Sequence, residues 1–399
     1  MKVFALFSPR PALPPEMRQL QQRALLFGVV GLVLCVVGAF FSPEQFFRAY
    51  LLAYVFWIGV ALGCLAIIMV YHLSGGAWGV VIRRMLESAT RTLPLMVVLF
   101  VPLVFGLHDL YAWARPEVVA ADEILQHKRP YLNVPFFLLR AALYFVAWGG
   151  VAYFINKWSL EQDQRAADPR PTRRLRLLSG PGLILYGLAI TFAAIDWLMS
   201  LEPHWYSTIF GAMLMVGQGL NAFAFAIMVA ALLADRAPLS RVISPVHFQD
   251  LGSLLLAFVM LWTYMAFAQW LLVWSGNLPE ENFWYVHRLQ GGWQWFGVVL
   301  IVFHFALPFV LLLSRDIKRN ARALAVVAGA IMVMRFVDLF WLIVPAFYPE
   351  GVHIHWMYIV APLGLGGVWL AMFIRQLGER PLLPLHDPNL RGAIAHGRH

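Results

Sequence analysis

Residues 46–72 read FFRAYLLAYVFWIGVALGCLAIIMVYH, and after Arg48 this run holds no charged side chain before its terminal His72. A helix rises about 1.5 Å per residue and the hydrocarbon core of a bilayer is about 30 Å thick, so roughly 20 apolar residues suffice to cross it. This run exceeds that length. A soluble domain would have to bury every face of such a helix, whereas lipid accepts it directly.

Working outward, nine further runs pass the same test. The ten predicted spans lie near 21–41, 46–72, 91–113, 134–157, 181–201, 206–233, 249–274, 292–314, 322–347 and 355–377. The composition agrees: 61% of the 399 residues are hydrophobic and 13% charged, about half the charged share of an ordinary soluble domain. The expected fold is all-α, a polytopic membrane protein of about ten helices. Spans 2–5 and 6–9 form two up-and-down four-helix bundles, flanked by helices 1 and 10. The expected organisation is an N-terminal segment 1–20, a membrane domain 21–378 with bundles at about 46–201 and 206–347, and a tail 379–399. The loops, about 20 residues at most (114–133, 158–180 and 274–291), are too short to hold a catalytic domain.

Lys and Arg fix the orientation. The N-terminus, the loops after spans 2, 4, 6 and 8, and the C-terminus hold about 23 of the 30 basic residues, and the opposite flanks about five. Both termini are therefore expected on the cytoplasmic side. The net charge of +9 follows from this topology, with Arg170–Arg176 and Arg315–Arg322 carrying much of the excess, and it does not indicate nucleic acid. Before span 1 the only apolar stretch is Val3–Phe7, too short for a signal-peptide core. Pro94, Pro102, Pro308 and the Pro362, Gly364–Gly367 group mark kinks and close helix contacts. Gly59 and Gly63 of span 2 are matched by Gly217 and Gly219 of span 6, a weak internal repeat.

Ionisable residues at bilayer depth are costly, about 2.5–3.5 kcal/mol at a helix centre, and persist when paired, hydrated or functional. Depth sorts them into three groups. Toward the outer side lie His108 and Asp109, with Asp196 below Glu202 and His204; a His and a carboxylate can hydrogen-bond the hydroxyls of a quinol and take its protons. They serve equally as helix caps or interfacial pairs. Deeper are Arg335 and Asp338, spaced i, i+3 on one helical face, with His304, Gln218 and Asn221; these suit a proton file or a self-neutralised core. Toward the inner side, His72 and Asp250 suit the mouth of a half-channel, or simple helix-end roles.

Cys35 and Cys64 lie within apolar runs and show no spacing for iron–sulfur, zinc or covalent haem, so they are expected to pack. Bis-histidine haem needs paired histidines at one depth, whereas His72, His108 and His304 fall at three. No metal ligands are expected in the chain. Trp262, Trp270, Trp274, Trp293 and Trp295 are expected mostly as an interfacial belt.

The run Phe47–Trp57, followed by Gly59-Val60-Ala61-Leu62-Gly63-Cys64, His72, Gly75-Gly76-Ala77-Trp78 and Arg83-Arg84, resembles the NrfD/polysulfide-reductase membrane-subunit family. Within it, the chain is most similar to the second such subunit of alternative complex III. The resemblance covers nearly the whole chain, and these motifs mark a family and not a catalytic centre. It implies a bacterial cytoplasmic-membrane subunit with no covalently bound cofactor in a quinol-oxidising complex. Menaquinone or ubiquinone would be the quinone, and haems and iron–sulfur clusters would sit on partner subunits. Those partners would be a paralogous NrfD-like subunit, an iron–sulfur subunit, and multihaem and monohaem c-type cytochromes. It also implies a quinone-pocket-like cleft at His108, Asp109 and Asp196, a proton path through His72, Asp250, His304, Arg335 and Asp338, or both. Two other classes fit the residues: a secondary transporter with its site at a repeat interface, and a structural anchor for peripheral redox subunits. A transporter would carry a broken helix in each half, and Pro94 and Pro102 have no mate in span 7.

Overall fold

The computed structural model describes residues 15–165 and 168–397, and among these every regular element is a helix. Among the described residues nine helices are long and apolar enough to span a membrane, and a tenth span is a pair bent by 40°. In chain order they are α1 (Pro15–Ala39), α2 (Pro43–Ser74), α3 (Ala77–Thr90 with Leu93–Phe105), α4 (Val134–Gln164), α5 (Arg170–Trp197), α6 (Phe210–Leu233), α7 (Pro245–Gly276), α8 (Trp293–Leu313), α9 (Ala321–Ile343) and α10 (Met357–Gly378). The chain is a multi-pass membrane protein.

Contacts between helix ends establish the alternation. Arg236 after α6 reaches Glu16 at the start of α1, Glu161 of α4 pairs with Arg174 of α5, and Arg319 after α8 donates to Gln249 of α7. Each pair joins the end of an even-numbered helix to the start of an odd-numbered one. Both described chain ends thus lie at one end of the molecule, which also carries the arginine-rich loops. It is called the arginine-rich end below.

α2 is the central pole. It packs against α3, α5, α6 and α10, and from Phe46 to Met69 its apolar residues are buried or half-buried on every side. Helices α2–α5 and α6–α9 form the two bundles, joined by the α2–α6 crossing, while α1 lies along α10. Gly63 makes the α2–α6 crossing possible: a Cβ there would stand 2.1 Å from the Gln218 carbonyl oxygen. Small residues let membrane helices approach this closely, where apolar burial offers no preference over lipid.

Three expectations change. Span 3 was predicted over 91–113 after a basic loop, but residues 77–90 are helical and wholly buried from Gly79 to Thr90; Arg83, Arg84 and Glu87 make this packed helix look like a loop, and the excess positive charge is met by Asp163 and Asp387 from other elements. α5 begins at Arg170 and not near 181, its first turns being an arginine-bearing interfacial extension. The segments 114–133 and 274–291, read as loops, contain the short helices Pro116–Ala121, Glu123–Lys128 and Pro279–Arg288.

α8 departs from α-geometry at Leu300–Ala306, a π-helical turn centred near His304. Pro308 has no N–H to offer the His304 carbonyl one turn back, and the Leu307 N–H instead reaches Val302. Such turns are caused by a lost i→i−4 bond and often mark functional positions. α7, by contrast, is one unbroken helix from Pro245 to Gly276.

Candidate functional site

The deepest ionic group of the second bundle lies between α6, α7, α8 and α9. Arg335 and Asp338 of α9 are 2% and 3% exposed, and the Arg335 Nη1 donates to Asp338 Oδ2. Trp262 Nε1 of α7 donates to the same oxygen at 3.2 Å. His304, fully buried on the π-turn of α8, stands edge-to-face on Trp262 with ring centroids 4.2 Å apart. Neither ring nitrogen of His304 has a hydrogen-bond partner among the described residues. An unpaired buried polar atom costs about 1–3 kcal/mol, so this imidazole holds two unused valences at a real cost.

The floor of this site is α6. A Cβ on Gly217 would lie 2.2 Å from the Arg335 Cζ, so the guanidinium lies flat on a backbone that only glycine can present. One residue on, Gln218 Oε1 accepts from Tyr186 Oη of α5 at 2.7 Å. Asn221 is buried, and its Oδ1 is unpartnered among the described residues. The predicted deep group His304, Arg335 and Asp338 is therefore assembled, with Gln218 and Asn221 on the adjoining helix. Trp262, predicted as a belt residue, is part of the site, and Trp293 is buried with its N–H on the Tyr348 carbonyl at 2.9 Å. Trp270, Trp274 and Trp295 are exposed. An indole draws its N–H toward an acceptor when one is buried nearby, and hydropathy does not show which tryptophans have one.

The predicted group of His108, Asp109 and Asp196 is not gathered. Asp196 is completely buried and gripped by Arg140 of α4: Nε to Oδ2 at 2.8 Å, Nη2 to Oδ1 at 2.9 Å, with Tyr144 Oη on Oδ2 at 2.7 Å. Arg140 also donates to the Tyr131 carbonyl and lies 3.8 Å from the Tyr131 ring centroid. His108 is exposed and Asp109 half-buried on the short helix Leu107–Leu110, and neither side chain bonds to Asp196 or to any other described residue. Arg140 was overlooked; a lone arginine in an apolar span, facing an aspartate on the antiparallel neighbour, was the available signal. Glu202 and His204 find other partners: Glu202 pairs with the buried Arg288 at 2.7 Å, and His204 with Asp122 at 2.7 Å. Burial pushes the Glu202 carboxyl up, but Arg288 and His287 outweigh it and hold it below the ordinary range.

At the arginine-rich end the predicted His72 and Asp250 are apart. Asp250 meets His396 of the tail at 3.0 Å. His72 lies beside a larger buried network, its Nε2 enclosed without a partner among the described residues. In that network Ser159 donates to Glu87 at 2.6 Å and accepts from Arg83 at 2.9 Å and Arg84 at 2.8 Å. Arg84 also reaches Asp163, and Arg83 reaches Asp387. Tyr71 Oη donates to Asp387 at 2.6 Å, and Arg380 donates to Asn156 at 3.1 Å. Three arginines face three carboxylates, so the charges balance, while Arg84 Nε has no hydrogen-bond partner among the described residues. Burial raises the Asp387 carboxyl, but Arg83, then Tyr71 and the Asn389 N–H, outweigh it and hold it below the ordinary value of 3.8.

A further cleft of about 410 Å³ opens toward lipid between α1, α2 and α3 and is lined by Leu32, Phe46, Phe47, Tyr50, Leu99 and Phe105 among others. The Tyr50 hydroxyl is spent on the Leu99 carbonyl at 2.8 Å, leaving an apolar wall. Comparison with protein-family models and with curated protein sequences finds no match to this chain.

Proposed function

We propose that the chain is the membrane subunit of a quinol-oxidising electron-transfer complex of the alternative complex III type. It lies in a bacterial cytoplasmic membrane with both termini inside, and its second bundle moves protons. The resemblance of Phe47–Cys64 and Arg83-Arg84 to NrfD-like subunits supports the complex. The single observation that carries the proton role is His304: fully buried, with two unbonded ring nitrogens, beside the Arg335–Asp338 pair. An imidazole accepts a proton at one nitrogen and releases another from the opposite one. Asp338 takes both of its bonds on Oδ2, so its other oxygen is free to take part. Redox cofactors would sit on partner subunits, and electrons would not pass through this chain.

The unbroken α7 favours this reading over a secondary transporter, since inverted repeats place broken helices at matching positions and the bend of α3 has no counterpart there. A quinone at the opposite end is a second reading, favoured by the apolar cleft that runs to Phe105, one turn before His108. Purification in mild detergent tests membership: haem and iron–sulfur absorbance should co-elute with the chain, and a cofactor-free monodisperse monomer would reject it. Replacing His108 by Gln tests the second reading, which requires quinol oxidation by the complex to fall; unchanged turnover removes it.

A further inference from the structure

We infer that the outward face of the α4–α5 pair at the arginine-rich end is a binding site for an anionic phospholipid. On α5, residues 170, 173, 174, 177, 181, 184 and 188 follow i, i+3, i+4 spacing along one face, and all are exposed. The first three are arginines; Leu177, Ile184 and Leu188 continue the stripe. The face therefore runs from cations to hydrocarbon, as a phospholipid runs from phosphate to acyl chain.

α4 completes the site. A Cβ on Gly182 of α5 would lie 3.3 Å from Val151 Cγ1 of α4, and Gln162 of α4 donates to Thr172 of α5 at 2.7 Å. Counting equally along both helices from the first contact sets Lys157 level with Arg176 and about one turn deeper than Arg173. Lys157 is exposed and lies 5.9 Å from the Tyr153 ring centroid. Arg174 lies 6.0 Å from the half-buried Trp158 ring and 3.4 Å from Glu161, while the Asp168 carboxylate accepts from the Arg170 backbone N–H at 2.9 Å. The side-chain cations of Arg170, Arg173 and Lys157 pair with no carboxylate among the described residues, and all three are exposed. Below the cations, Gly150 and Gly180 face open space, leaving shallow room beside the helices for an acyl chain. Basic pockets between membrane helices recognise anionic headgroups in this manner.

The test titrates the detergent-purified full-length chain with dioleoylphosphatidylglycerol, using dioleoylphosphatidylcholine as neutral reference, and counts bound lipid by native mass spectrometry. The wild type should prefer the anionic lipid, and added salt should erode that preference. The triple variant Lys157→Gln, Arg173→Gln, Arg174→Gln should lose about fivefold in affinity per charge, on the order of a hundredfold together. Arg322→Gln, an exposed arginine at the same end, should change nothing. Equal binding of the two lipids by the wild type, or a preference indifferent to salt, overturns the inference even if the triple variant fails to fold. Undiminished anionic-lipid binding by a folded triple variant also overturns it, as does loss of a protein subunit from that variant with lipid binding intact.

Discussion

Each bundle buries an arginine–aspartate pair away from the network at the arginine-rich end, and these two pairs are built differently. In the first bundle Arg140 and Asp196 come from neighbouring helices, meet through two bonds, and are sealed by Tyr144, the Tyr131 carbonyl and two aromatic rings. In the second, Arg335 and Asp338 share one helix turn and one bond, and the histidine beside them bonds to nothing among the described residues. A charge inside a membrane is thus not by itself a sign of function. A completed pair is a fastening; spare hydrogen-bonding capacity next to a pair is what a proton can use.

The largest effect is expected at the fastening. Arg140→Met leaves a buried unpaired carboxylate and should cost about 3–5 kcal/mol, while Arg140→Met with Asp196→Leu should recover most of it. Thermal unfolding in detergent measures both, and a stable single variant would break the contrast. Gly217→Ala should cost about 1–3 kcal/mol by forcing the Arg335 guanidinium off the α6 backbone, measured in the same way. His304→Phe should alter stability least of these substitutions, by about 1 kcal/mol, because only its aromatic contact with Trp262 is at stake. A loss as large as that of Arg140→Met would make His304 another fastening.

The smallest effect concerns the network at the arginine-rich end, which resembles the first bundle's pair in balancing its charges. Because the folded Asp387 carboxyl is held below 3.8, its contribution to docking the tail is fully present above the ordinary carboxylate range. It is lost as pH falls through the lowered value. Hydrogen-exchange protection of the helix Leu390–His396, taken relative to the intrinsic rate at each pH, should therefore stay constant across neutral and mildly acid pH and fall only below that range. A loss of protection near neutral pH would contradict it.

The helical membrane fold was legible because dehydrating a backbone leaves few options, and long runs such as 46–72 state the outcome directly. Hydropathy failed where charge is buried: Ala77–Thr90 carries Arg83, Arg84 and Glu87 and so looked like a loop, although Glu87, Asp163 and Asp387 together meet its arginines inside the protein. Arg335, Asp338 and His304 were legible as a group by depth. The separation of Asp196 from His108 and Asp109 was not, because depth gives a level in the membrane and not an azimuth around the bundle. Arg140 supplies that azimuth.

The ratio of protons moved to electrons transferred, in the proposed complex reconstituted into vesicles, addresses the proposed proton role most directly. With Asp338→Asn and, separately, His304→Phe, electron transfer should continue while the ratio falls. An unaltered ratio in both variants, with the complex intact, would contradict it.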